Sequence, residues 1–179
     1  SFERVMPGEK YLDSITCFWR VYAGQTPNAA DACEAFLSSI IDVKDFPLMR
    51  LSSMTASETA KVMENTYRAV NIALIDEWTK YAEAVGIDLY EVTDAIRVRP
   101  THSNIRFPGL GVGGYCLTKD PEFAPTAAKQ LYGLEGFDFP FSHLAMKVNR
   151  EMPLHTLTRL KMLLGGNSNK KSILVLGVS

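Results

Sequence analysis

Three groups of residues in this sequence have types and spacings that could do chemistry. Cys116 and Asp120 lie four apart in FPGLGVGGYCLTKDP, the stretch from Phe107 to Pro121. Ahead of the cysteine, four glycines within positions 109–114 let backbone N–H groups approach a ligand closely, as a substrate cradle needs. Asp120-Pro121 reads as an N-cap followed by a proline at the first helical position, so Cys116 should stand just before a helix N-terminus with Lys119 beside it. The positive helix end and the ammonium would favour the thiolate, the nucleophilic form. Capping would use one oxygen of Asp120 and leave the other for a second task. Lys61 and Asn65 are i and i+4 on a long helical pattern and share one face, which Arg68 continues. An ammonium beside an amide suits holding a hydroxyl and stabilising an oxyanion. Glu3, alone in SFERVMPG, reads by itself as a solvated acid. Each group also has a plain reading: a solvated helix stripe, or a glycine-rich turn with a small buried cysteine.

The elements that must position these residues are mostly helices. Pro27-Asn28 precedes an amphipathic stretch from Ala29 to Ile40, and a short β-like segment follows near Leu48 to Leu51. Thr55-Ala-Ser-Glu58 has capping-box spacing and opens a long helix that runs to Val85 and ends at Gly86. Its apolar face should pass through Val62, Met63, Val70, Leu74, Trp78 and Val85. Asp88-Leu-Tyr-Glu91 caps a shorter helix to about Val98, and Arg99 to Leu117 is loop. A helix from Asp120 to about Leu131 follows. Another begins at Ser142, is kinked or divided at Pro153, and closes at Gly165-Gly166. The apolar run from Ser172 to Val178, with Gly177 inside it, reads as the first strand of a following α/β unit.

Composition narrows the function classes. The 179 residues are 46% hydrophobic and 22% charged, enough for one good core, and a net charge of -1 gives no reason to expect nucleic acid or an anionic membrane. No apolar run approaches the roughly 20 residues of a membrane span. The start SFERVMPGEK has no apolar signal-peptide region. Three cysteines, Cys17, Cys33 and Cys116, are odd in number and widely spaced, with no zinc spacing, which suits a reducing cytoplasm and no metal site. Cys17 and Cys33 should sit shielded in apolar surroundings.

Taken together, GVGGYCLTKDP, the helix ETAKVMENTYRAVNIALIDE and FERVMPG resemble the UDP-glucose/GDP-mannose dehydrogenase family, in its order and over nearly the whole chain. The resemblance implies a mainly α fold, a long-helix central dimerisation domain like the C-terminal part of 6-phosphogluconate dehydrogenase, with short edge strands from truncated flanking α/β domains. The expected division is 1–54 as the end of an N-terminal NAD-binding domain, 55–165 as the central helical catalytic and dimerisation domain, and 166–179 as a linker and first strand of a UDP-binding domain. It further implies an oxidoreductase that converts the C6 alcohol of a UDP-sugar to a carboxylate while reducing two NAD, through a cysteine thiohemiacetal and thioester.

By the same resemblance Cys116 matches the nucleophile, and Lys61 and Asn65 match the pair that contacts the sugar and stabilises oxyanions. Asp120 and Glu3 match the acids linked to water activation and thioester hydrolysis. Arg4, Val5, Met6 and Pro7 would contact substrate through their backbone. Phe107, Pro108, Gly109, Leu110, Gly111, Val112 and Gly113 would form the loop over the substrate, with Lys119 near the NAD.

Phe2 stands where the family usually has proline, and Pro7 where some members carry a second acid. Arg99, His102 and Arg106 are alternative candidates for the residue that reaches a partner subunit's substrate. FERVMPG leans toward a UDP-N-acetylhexosamine and GGYCL toward UDP-glucose. No G-x-G-x-x-G follows a strand, so NAD should be bound mainly by a domain outside this chain, and the chain alone should be inactive. Two rivals stand beside this reading. One is the helical domain of a β-hydroxyacid or 6-phosphogluconate-type dehydrogenase, which also uses a Lys and Asn four apart but needs no cysteine. The other is a non-catalytic helical dimerisation module.

Overall fold

In the first of two compact units, Ser1–Met63, a helix forms the crossover between two parallel strands. The computed structural model describes residues 1–6, 8–166, 169 and 171–177. Helix α1, Tyr11–Thr16, leads to strand β1, Val21–Tyr22; helix α2, Pro27–Ser38, then returns the chain to β2, Met49–Arg50. Val21 pairs with Met49 and Tyr22 with Arg50. The strand-to-helix turn is possible because residue 24 is glycine: a Cβ there would lie 2.2 Å from the Ala30 nitrogen. Thr26 caps α2 by accepting from the Ala29 N–H at 3.2 Å, with Pro27 in the first turn. Tyr22, Ala30, Leu37 and Ile41 form the core beneath, with Cys33, Phe46 and Leu48 against it. Burial, reinforced by a hydrogen bond donated to Glu34, pushes the Tyr22 phenol up to about 12.

Helix α3, Met54–Val85, is the expected long helix. Its start differs from the expectation. Ser53, not Thr55, is the cap, its hydroxyl accepting from the Ala56 N–H at 3.1 Å. Spacing alone could not choose between two hydroxyl residues two positions apart. Gly86, with φ +76°, ends the helix as expected, its N–H reaching the Ala82 carbonyl at 2.9 Å.

The expected apolar stripe on α3 is contradicted at four of its six positions, Val62 and Val70 being half-buried. Met63, Leu74, Trp78 and Val85 are exposed, and the buried positions are Ala69, Ala73, Ile75 and Ala82 with the polar Ser57, Asn65 and Asp76. Small side chains face inward because they let neighbouring segments approach closely, and the large ones are left outside.

The second unit, Glu64–Ser179, adds three further helices. Helix α4, Leu89–Arg97, is capped by Asp88, which accepts from the Tyr90 N–H at 2.8 Å. A 3-10 turn at Asp120–Glu122 leads into α5, Phe123–Gln130, and α6 spans Pro140–Leu163. Pro153 sits inside α6 without dividing it. The run from Ser172 to Gly177 forms no strand, with Leu174 and Leu176 exposed, and Val178 lies outside the described residues. An apolar strand needs a neighbouring strand to pair with, and none stands beside it among the described residues. The mainly helical class with short parallel strands holds. No helix among the described residues is long and apolar enough to cross a membrane.

Asp76 is the costly residue of this core. It is 1% exposed, and its Oδ2 has no hydrogen-bond partner among the described residues. Burial pushes its carboxyl from 3.8 up to about 6, with Lys80 and His155 opposing the rise. The folded state therefore binds the proton more tightly than the unfolded chain. Its contribution to stability is fully present below pH 4 and is lost as the pH rises through 6. Asp76→Asn should remove this loss, stabilising the protein at pH 7 by on the order of 2 kcal/mol. Thermal melts of both proteins between pH 4 and 7 check it: the gap should widen with pH, and a constant gap would contradict the assignment.

Candidate active site

In the first unit Glu3 is exposed, as expected, but the segment around it is pinned. The Lys61 ammonium donates to the Glu3 carbonyl at 3.0 Å and lies 3.9 Å from its carboxylate. That carboxylate also accepts from the Val5 N–H at 2.7 Å. Arg4 donates to the Trp19 carbonyl at 2.9 Å. Met6 N–H donates to the hydroxyl of Ser14 at 2.9 Å, and that buried hydroxyl donates in turn to the Tyr11 carbonyl at 2.7 Å. The stretch from Glu3 to Met6 is thus held by side chains from α1 and α3 and by a backbone carbonyl of the chain before β1. Pro7 lies outside the described residues. The role of Ser14 carried no signal in the sequence, because a serine inside a six-residue helix resembles any other.

In the second unit Asn65 and Asp120 meet. Asn65, 1% exposed, donates from its side-chain nitrogen to Asp120 Oδ2 at 2.6 Å. Asp120 is 6% exposed, and Lys119 Nζ contacts its Oδ1 at 2.6 Å. Both carboxylate oxygens are therefore engaged by side chains, and Asp120 is not a helix cap. Lys119 holds the cap position of the 3-10 turn, without a side-chain cap bond. Its ammonium lies 4.5 Å from the Phe123 ring centroid.

Cys116 is exposed at the head of the same turn, where its carbonyl accepts from the N–H groups of Asp120 at 2.9 Å and Lys119 at 3.2 Å. Thr118 closes the turn onto the Gly114 carbonyl at 2.6 Å. The helix expected from Asp120 opens instead as the 3-10 turn over Asp120–Glu122, and α5 itself begins at Phe123. The expectation for Cys17 also fails, since it is exposed. Cys33 is partly buried against the first unit's core.

The glycine loop before Cys116 is tied at three points. Arg97 donates to the Ile105 carbonyl at 2.6 Å and lies 4.7 Å over the Phe107 ring. Tyr90 stacks on Phe107 with ring centroids 5.8 Å apart and donates to the Pro108 carbonyl at 3.1 Å. Asn149 bonds Val112 twice. Leu110, at the tip, is 70% exposed. Gly109 has open space around it. Arg99, His102 and Arg106 are all exposed. Among the described residues no three His, Cys, Asp or Glu side chains could hold a metal ion.

Residues 55–151 match the central domain of the UDP-glucose/GDP-mannose dehydrogenase family, and the chain belongs to that family. It is 36% identical over 153 residues to a UDP-N-acetyl-D-mannosamine dehydrogenase of Pyrococcus horikoshii, covering 84% of this chain and 33% of that protein. It is 32% identical to the enzyme of the same name from Methanocaldococcus jannaschii, covering 96% of this chain and 37% of that one. The chain thus spans about a third of the length of these curated relatives. The solved structure of the Pyrococcus horikoshii dehydrogenase superposes with a TM-score of 0.74 at 33% identity, covering 91% of this chain and 36% of that one.

Proposed function

We propose that this chain is the central part of an NAD-dependent dehydrogenase that oxidises the C6 alcohol of a UDP-sugar to a carboxylate. The observation that carries the reading is a buried, fully engaged carboxylate, Asp120, in the turn that opens with an exposed thiol, Cys116. In this reading residues 55–165 are the catalytic and dimerisation domain, between the flanking domains expected at 1–54 and 166–179. A UDP-N-acetylhexosamine is the favoured substrate, since the relatives in both archaea carry that specificity in their names.

With NAD, held mainly by a domain outside this chain, as the hydride acceptor, the C6 alcohol would first lose a proton and a hydride to give the aldehyde. Cys116 would add to that aldehyde through sulfur, which keeps it from escaping. The thiohemiacetal would then lose its hydroxyl proton and, to a second NAD, its C6 hydride, leaving a thioester. Water attacks that thioester, the C–S bond breaks, and acid and thiolate are released. Lys61 and Asn65 stabilise the oxyanion in each step. Asp120 and Glu3 hold and orient the attacking water. Convergence of Lys61 and Asn65 on the Cys116 carbon is part of the proposal. So is the placing of Phe107 to Gly113, and of the Arg4 to Pro7 backbone, against the nucleotide sugar.

The described residues do not fit a dinucleotide site by themselves. The β1-to-α2 turn holds the single glycine Gly24, with no G-x-G-x-x-G. When bound, the nicotinamide supplies the hydride acceptor; here only Lys119 is proposed to lie near it. Hydride release assayed on the full-length protein with UDP-N-acetylmannosamine, UDP-glucose and GDP-mannose tests the function. Two NADH per sugar oxidised are expected with one of the UDP-sugars, and no NADH with any of the three would refute it.

Exposed Tyr67, Leu74, Trp78 and Tyr81 on α3 support a homodimer through this helix, with Trp78 and Tyr81 meeting edge-to-face at 5.5 Å. Light scattering should give twice the protomer mass at micromolar concentration. Trp78→Glu should shift it toward the monomer, and a wild-type monomer would rule the interface out.

A further inference from the structure

Asn149 makes two hydrogen bonds of the kind one β-strand makes to another. Its side-chain carbonyl accepts from the Val112 N–H at 2.7 Å, and its side-chain nitrogen donates to the Val112 carbonyl at 2.8 Å. A side-chain amide carries both a donor and an acceptor and can satisfy both backbone groups of a single residue in this way. Asn149 is half-buried on α6, 37 residues from the loop it holds. Beneath it sits Met152, fully buried.

The loop is shaped to this partner. Gly111 has φ +88°, a conformation L side chains rarely adopt. A Cβ at that position would also stand 3.0 Å from both Asn149 Oδ1 and the Met152 Cβ. The glycine therefore does two things at once: it turns the chain and it lets Val112 come up to the amide. On the upstream side Tyr90 holds Pro108 through its hydroxyl. Between Pro108 and Val112 only Gly109, Leu110 and Gly111 are left as an unsupported tip.

We propose that Asn149 is the positioning residue of the glycine loop, holding its backbone in the form that receives the nucleotide sugar. The proposal rests on the functional reading above. A loop already fixed in its binding form does not have to be ordered when substrate arrives, so the cost of ordering is absent from the binding step. Asn149 touches no reacting atom, and Cys116 is held separately by the turn to Asp120. Loss of the clamp should therefore weaken substrate capture and leave the chemical step close to intact. A residue needed only for general stability would lower activity without separating the two.

The test uses the full-length enzyme with three variants. Asn149→Leu keeps the volume and removes both bonds. Asn149→Asp keeps the acceptor for the Val112 N–H but sets a carboxylate oxygen against the Val112 carbonyl. Gly111→Ala breaks the clamp from the loop side. Amide hydrogen exchange at Val112 is read for each, together with KM and kcat for UDP-N-acetylmannosamine. Protection of the Val112 amide should be lost in Asn149→Leu and Gly111→Ala and retained in part in Asn149→Asp. KM should rise about tenfold or more in Asn149→Leu with kcat within about threefold, the scale set by two lost hydrogen bonds. Should Asn149→Leu not fold, the other two variants decide by the same pair of readings. Unchanged exchange at Val112 overturns the clamp. Lost protection with KM unchanged overturns its role in binding. A wild-type enzyme that oxidises no nucleotide sugar defeats the functional reading instead, and the exchange measurement still judges the clamp.

Discussion

Replacing Cys116 by serine in the full-length protein should abolish acid formation, lowering its rate by about 10³-fold or more. The serine hydroxyl is almost wholly protonated near neutral pH, and among the described residues no histidine is hydrogen-bonded to position 116 to take the proton. The two described neighbours with suitable chemistry are already engaged: Lys119 faces Asp120, and Asp120 accepts from Asn65. Folding should hardly change, because Cys116 is exposed and the substitution removes no packed volume, keeping the stability effect within about 0.5 kcal/mol. Acid production measured beside a thermal melt separates the two effects. A serine variant with wild-type turnover would remove the covalent mechanism and restore the hydroxyacid dehydrogenase reading, which needs no cysteine.

The second large effect is expected at Asn65. Asn65→Leu would leave Asp120 Oδ2 buried and facing an apolar group. Stripping a partner from a buried carboxylate costs about 3 kcal/mol, since the charge keeps its desolvation penalty and loses its donor. If Asn65 also stabilises an oxyanion, kcat should fall about 100-fold or more in the same variant. Asn65→Asp distinguishes the terms. It brings a second carboxylate against Asp120, and two such groups in contact cannot both ionise. The added like charge should lower both stability and activity below wild type, while keeping a polar side chain at position 65. Melting curves and initial rates check it. A stable, active Asn65→Leu protein would show that the buried pair is ornamental.

The sequence made the long elements legible and hid the tertiary contacts between them. Helix α3 could be read because its pattern runs 32 residues and stops at a glycine with positive φ. Asp88 could be read as a cap because nothing else nearby competes for the Tyr90 N–H. Helix α1 and strand β1 were not readable: six residues without a side-chain cap and two paired residues carry too little period to detect. The inward face of α3 was misread for a physical reason. Apolar side chains mark a core only where a neighbour covers them, and on this helix the alanines are covered while Trp78 and Leu74 are not.

At the site, residue types were legible and their partners were not. Asp120 has the position of a cap, yet Asn65 lies 55 residues away and takes one of its oxygens. The clamp of Asn149 on Val112 was equally invisible, since an asparagine inside a helix offers no local sign of what its amide will meet. Glu3 read alone as solvated; it takes its meaning from Lys61, 58 residues later.

The covalent step is the centre of the account, and trapping it is the most direct test. Asp120→Asn in the full-length enzyme should slow thioester hydrolysis more than the oxidations that precede it. Quenched in acid during turnover with UDP-N-acetylmannosamine and NAD, the peptide containing Cys116 should carry the mass of the nucleotide sugar joined as an acyl group. The peptides with Cys17 and Cys33 should not. Acid accumulating in that reaction while Cys116 stays unmodified at every quench time would contradict the mechanism.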